Sequence, residues 1–296
     1  CTTSKLGADH ELALAHIGTM RRIVMKLINK INELAKTQPL ATTSGLVLFI
    51  VMLQQFASMF ITKNFAEITK DDSGLYIRYA ASALILFLLL RWQALKESGV
   101  ALTMTRWDRK WPLAIAPMLL VAGLNVTGVD WVNAEFTAGK IILWGFNNFS
   151  TGLFEEVMMR GMAFYLLYRA WQEQRNGIYK AAIAQALTFG LLHLFNLRDD
   201  AVIDVVAQVT YATILGFAFA GIVAYTRSVW PAVIGHTIIN AISNINPTFV
   251  TNYVDTAPTV QMYSLFITII ALVTAPPGYF MLRNTANTKA KWEIAK

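Results

Sequence analysis

Cysteine is almost missing from this chain: Cys1 is the one cysteine in 296 residues. That excludes an internal disulfide framework and any cysteine-based metal centre. Charge is scarce as well, at 15% Asp, Glu, Lys and Arg, against roughly 25% in a soluble domain. Histidine is limited to His10, His16, His193 and His236. The helical zinc signature H-E-x-x-H does not occur, and there is no internal repeat, low-complexity tract or long linker. What fills the chain instead is apolar: 55% hydrophobic residues and a mean hydropathy of +0.46. The composition is that of an integral membrane protein.

Apolar runs near the ~20 residues that a bilayer requires follow one another along the chain. They cover Leu40–Ile61, Leu75–Leu90, Trp111–Val129, Ile141–Ala170, Ile178–Leu197, Ala201–Tyr225, Val229–Ile245 and Val260–Leu282. The expectation is an all-α polytopic helical bundle of about eight crossings. The fourth run is too long for one straight crossing, so a break, a tilt or a re-entrant turn is expected at Gly145–Asn148. Pro276 and Pro277 should kink or end the eighth.

The formal charge of +7 invites a nucleic-acid reading, but the basic residues follow topology. Arg91, Lys96, Arg106, Arg109 and Lys110 fall between the second and third runs. Arg169, Arg175 and Lys180, then Arg227, then Arg283, Lys289, Lys291 and Lys296 fall in the alternate connections and the tail. The opposite connections hold Lys63, Lys70, Lys140 and Arg198, mostly beside Glu67, Asp71, Asp72, Asp199 and Asp200. With both termini cytosolic the positive-inside rule is satisfied throughout. The charge is orientation, and no nucleic-acid partner is expected.

Residues 1–39 set Ile17, Met20, Val24, Leu27, Ile28, Ile31 and Leu34 at helical spacing opposite Arg21, Arg22, Lys26 and Lys30. This reads as a cytosolic, interfacial amphipathic helix on an anionic membrane face, or as a helix docked on the protein's own cytosolic loops. Residues 40–284 form the membrane-embedded domain and 285–296 a basic cytosolic tail. The first residue, Cys1 rather than Met, fits a fragment, a processed product or a lipid-anchored cysteine; the basic N-terminal stretch speaks against the last.

Within the fourth run stand Glu155, Glu156 and Arg160. Ionisable groups at membrane depth cost a few kcal/mol each and are functional candidates by default. Glu156 and Arg160 are four apart and pair on one helix face; Glu155 is turned away by about 100° and must answer to other helices. His193 closes Phe189–His193 in the fifth run, and His236 with Asn240 shares one face in the seventh. A carboxylate, two imidazoles and a carboxamide are the parts of a small hydrolytic centre. Glu155 can take a proton from water, His193 can share that water, and His236 and Asn240 can donate to an oxyanion. Glu156 and Arg160 read as a structural pair, and Phe189 as packing beside the histidine. Alternatives are a His₂Glu zinc peptidase built on Glu155, His193 and His236, a proton or solute pathway, and a non-catalytic immunity or scaffold protein.

These motifs, Glu-Glu-x-x-x-Arg, Phe-x-x-x-His and His-x-x-x-Asn, resemble in kind and order those of the intramembrane glutamic proteases. That group contains the Rce1-type CAAX prenyl endopeptidase and the bacterial CAAX-protease and Abi proteins. The resemblance implies a metal-independent peptidase with no cofactor, its water activated by Glu155 and His193 and its oxyanion held by His236 and Asn240. It implies a membrane-associated protein or peptide as substrate, the lipid bilayer as partner, and a bacterial cytoplasmic membrane as location. The cavity is expected between the fourth, fifth, sixth and seventh runs, opening toward the cytosol or laterally to lipid.

Overall fold

A computed structural model describes the backbone of residues 2–65, 70–102, 111–254 and 258–287, with side chains from residue 18 onward, 70–72 excepted. Glu67, Arg106, Arg109, Lys110, Lys289, Lys291, Lys296 and most of the 285–296 tail lie outside the described residues. So do the side chains of Lys5, His10, His16, Ile17, Lys70, Asp71 and Asp72.

The described residues are helical, with no β-strand beyond an isolated bridge between Ala134 and Val250. The helices are α1 (Thr2–Thr37), α2 (Pro39–Asn64), α3 (Lys70–Arg91), α4 (Trp111–Val126), α5 (Ala138–Glu156) and α6 (Tyr165–Trp171). They continue with α7 (Gly177–Leu192), α8 (Val202–Thr226), α9 (Trp230–Ser243), α10 (Ile245–Phe249) and α11 (Val260–Asn287). Five stretches are long and apolar enough to cross a bilayer: Pro39–Asn64, Ser73–Arg91, Gly177–Arg198, Val202–Thr226 and Val260–Asn287. Trp111–Val126 is apolar but shorter. The seventh run folds as α9, whose 14 residues reach only about 21 Å. The chain is an integral membrane protein.

The fourth run corrects an expectation. Residues 145–148 lie inside unbroken α5, and the irregular stretch comes later, as an eight-residue π-helix at Val157–Phe164. One residue extra per turn is what a π segment supplies, and such segments recur at functional sites. Every residue from Val157 to Leu167 is buried. Nor do Pro276 and Pro277 end their helix: α11 runs on to Asn287.

Two faces are tied by specific contacts. At one, the Trp92 indole donates to the Ile28 carbonyl, Arg169 Nη2 to Asn32 Oδ1 at 2.7 Å, and Val229 N to Gly99 O at 3.0 Å. At the other, Asn125 Nδ2 donates to Ser243 Oγ at 2.7 Å, Asn246 Nδ2 to Gly128 O, and Glu135 N to Phe249 O. The first face carries Arg91, Lys96, Arg169, Arg175, Lys180 and Arg227, as the charge pattern of the sequence requires.

Helix α1 docks through Ile28, Asn32 and Ala35, while Met20, Ile23, Val24 and Leu27 stay exposed. It is held by the protein along one side and leaves an apolar stripe uncovered on another. The densest helix contact joins α8 and α11. A Cβ on Gly221 would come within 2.6 Å of the Gly278 carbonyl oxygen, so these backbones touch because neither residue has a side chain. Small residues at such a crossing replace the hydrophobic effect, which lipid abolishes between helices.

Candidate active site

The end of α5 delivers Glu155 and Glu156 in opposite senses. Glu156 is wholly buried, and its Oε1 accepts from Arg160 Nη1 at 2.8 Å. The same oxygen lies 2.7 Å from His236 Nδ1 on α9. A carboxylate already paired with a guanidinium is an acceptor, so His236 carries its proton on Nδ1. His236 then acts through Nε2, which lies 3.5 Å from Glu155 Oε2. The Arg160 guanidinium is stacked between two rings, 4.7 Å from the Phe189 centroid and 5.1 Å from that of Phe219. Such cation–π contacts strengthen when water is excluded. Phe219 also stacks on the His236 ring at 5.4 Å, and Phe189 meets it edge-on at 6.3 Å.

His193 is set by a change of helix type. At the end of α7 its backbone N–H turns to the Gly190 and Leu191 carbonyls, tightening the chain into a 3₁₀ turn over His193–Arg198. The Phe189 carbonyl is thereby freed, and His193 Nδ1 takes it at 3.0 Å. A carbonyl only accepts, so Nδ1 holds the proton and the lone pair is on Nε2.

Glu155, His193, His236 and Asn240 all line one cavity of about 420 Å³. Its walls come from α4, α5, α7, α8, α9 and α11. The third and eighth apolar runs therefore contribute as well as the expected four, through Val121 and Asn125 and through Tyr263, Phe266 and Ile270. Among the described residues no group of three or more His, Cys, Asp or Glu side chains is disposed to hold a metal ion.

Residues 137–242 match the family model described as type II CAAX prenyl endopeptidase Rce1-like. This segment is Rce1-like. No curated protein and no solved structure matches the chain. The matched segment contains Glu155, Glu156, Arg160, Phe189, His193, His236 and Asn240, and the model it matches describes an endopeptidase.

Sequence reasoning missed part of the surroundings. It assigned Glu156 to Arg160 alone, whereas Glu156 also fixes His236. Gln208, near the start of the sixth apolar run, lines the cavity and accepts from Asn196 Nδ2 at 2.8 Å. Sequence reasoning passed over Arg78 inside the second apolar run, although an arginine at that depth is itself the signal. Arg78 donates to Ser150 Oγ at 2.9 Å and to Asn147 Oδ1. With Lys140, Asn147 and Asn148 it lines a second, polar cleft of about 500 Å³, which shares Thr151 and Asn244 with the first.

Proposed function

We propose that this protein is an intramembrane endopeptidase that hydrolyses a peptide bond in a membrane-associated protein or peptide with a glutamate-activated water. The observation that carries the reading is the meeting of Glu155, His193, His236 and Asn240, from three separate stretches of chain, around one cavity. The Rce1-like match of residues 137–242 supports peptide hydrolysis as the reaction class.

In this reading a water is held between Glu155 and the Nε2 atom of His193. Glu155 takes its proton as the oxygen attacks the scissile carbonyl, and the proton passes to the departing amine. The Asn240 carboxamide donates to the developing oxyanion, and His236 donates beside it when Nε2 carries a proton as well as Nδ1. Glu156 and Phe189 are positioning residues: one fixes the His236 ring, the other both imidazoles and the Arg160 guanidinium. The zinc alternative lacks a set of three suitable donors among the described residues, and nothing observed favours the transporter or scaffold readings. α1 lies on the cytosolic membrane surface with Met20, Ile23, Val24 and Leu27 turned to lipid.

The test compares protein termini in cells carrying the wild-type chain with those in cells carrying Glu155→Gln at equal abundance. New termini present with wild type and lost with Glu155→Gln are expected. Identical terminus profiles in the two strains would end the proposal.

A further inference from the structure

The walls of the cavity share one gradient. Along α9 the lining runs from His236, which is buried, through Asn240 to Ser243 and Asn244, which are exposed. Along α8 it runs from buried Phe219 back to Gln208, and along α11 from Ile270 back to Tyr263. On α4 it rises from Val121 to Asn125. Each stripe begins buried, at an apolar residue on α4, α8 and α11 and at His236 on α9, and ends in a neutral amide or hydroxyl, and all of them end at the same face.

That face is the one where Asn125 meets Ser243 and Asn246 meets Gly128. It holds Asp130, Asp199 and Asp200 with only Lys63, Lys140 and Arg198 among its described bases. The opposite face carries Arg91, Lys96, Arg169, Arg175, Lys180 and Arg227. None of the residues of that basic side lines the cavity. The π segment that follows Glu156 is buried, as are Met118, Val229 and Ala232, all within 1% of complete burial.

We propose that the cavity admits its substrate from the face opposite the basic loops, which the positive-inside rule makes the non-cytoplasmic face. The substrate is then an extended peptide segment presented on that side, either a secreted peptide or the outer part of a membrane protein, and not a cytoplasmic C-terminal tail. Neutral amides and hydroxyls at the mouth, Asn125, Gln208, Ser243, Asn244 and Tyr263, suit the alternating donors and acceptors of a peptide backbone. This departs from the cytosolic opening that the sequence offered beside a lateral one. The nature of the cargo rests on the peptidase reading; the direction of entry does not.

The test introduces single cysteines into the full chain carrying Cys1→Ser. Asn244→Cys reports the mouth, Val132→Cys the same face in a fully exposed loop residue, and Arg175→Cys the basic face. Intact cells are treated with a membrane-impermeant maleimide. Labelling of Asn244→Cys and Val132→Cys without permeabilisation, and of Arg175→Cys only after it, is expected. The reverse pattern overturns the proposal, and Val132→Cys keeps it decisive should Asn244→Cys fail to fold. In a second arm, termini that depend on Glu155 are mapped onto their parent proteins. Sites in non-cytoplasmic segments support the entry side, and sites in cytoplasmic segments overturn it. If no terminus depends on Glu155, the peptidase reading fails while the labelling still decides the direction of entry.

Discussion

The floor and the mouth of the same cavity are built by opposite rules. At the floor, Glu156, Arg160 and His236 are desolvated, joined through one carboxylate oxygen and clamped between Phe189 and Phe219. At the mouth, the polar groups are neutral, partly exposed and tied by single hydrogen bonds such as Asn125 to Ser243. Glu155 stands where the two meet, its side chain 23% exposed against 0% for its neighbour. Adjacent carboxylates in one helix therefore live in different media. The first can exchange a proton with water, and the second can only hold its partners in place. Charge locked in the floor gives a fixed geometry; on the peptidase reading, neutral groups at the rim leave room for a peptide to compete for the same hydrogen bonds.

The sharpest way to break that comparison is to make both glutamates neutral in turn. Glu155→Gln is expected to lower peptide cleavage by about 10²–10⁴-fold, the usual worth of a general base. Its thermal stability should move little, because the side chain keeps access to water. Glu156→Gln should instead destabilise the fold by about 3–5 kcal/mol, the cost of leaving a buried charge uncompensated, read as a lowered unfolding midpoint in detergent. The double change Glu156→Gln with Arg160→Met should recover much of that loss, since removing both charges also removes the desolvation they required. Equal stability losses from Glu155→Gln and Glu156→Gln would erase the distinction between floor and cavity.

Asn240 tests the boundary from the other side. Asn240→Ala should reduce turnover by about 10²–10³-fold if the carboxamide donates to an oxyanion, with stability near wild type. A large stability loss without a specific loss of turnover would make Asn240 helix-to-helix glue instead. Further from the chemistry, Gly221→Ala places a methyl group against the Gly278 backbone. Forcing α8 and α11 apart should cost about 1–3 kcal/mol, as overpacking does, and should be seen as a lowered unfolding midpoint.

Much of this was legible in the sequence because membrane composition makes each polar residue conspicuous. Glu155, Glu156, Arg160, His193, His236 and Asn240 stood out against apolar neighbours, and their meeting required only that three stretches converge. Other features leave no trace in periodicity. The π segment at Val157–Phe164 has ordinary helical residues, so the irregularity was looked for at Gly145–Asn148, where glycine and asparagine suggested it. The bond from Glu156 to His236 joins residues 80 positions apart, and i,i+4 reasoning could only offer Arg160. The direction of the mouth depends on which end of each helix carries the exposed part of the lining. Single-run hydropathy does not record that.

The smallest effect belongs to the loop over the mouth. Asp130 accepts from the Asn133 side chain at 2.8 Å and from the Asn133 backbone N–H at 3.2 Å, while its own N–H donates to Asn246 Oδ1. Those bonds to Asn133 favour the charged form and hold the Asp130 carboxyl below its ordinary value. A depressed folded-state value means that the contribution is complete above the ordinary carboxyl range and is lost as pH falls through the folded value. Amide exchange at residues 130–133 should thus be flat, after correction for intrinsic rate, from neutral pH down to about pH 4, and should accelerate below it. Asp130→Asn should remove that acid limb while leaving the floor untouched. The Glu156–Arg160–His236 cluster would then persist under conditions where the loop above it has loosened. If instead the loop and the buried cluster lost protection together, the mouth would be an extension of the floor and not a separately tethered rim.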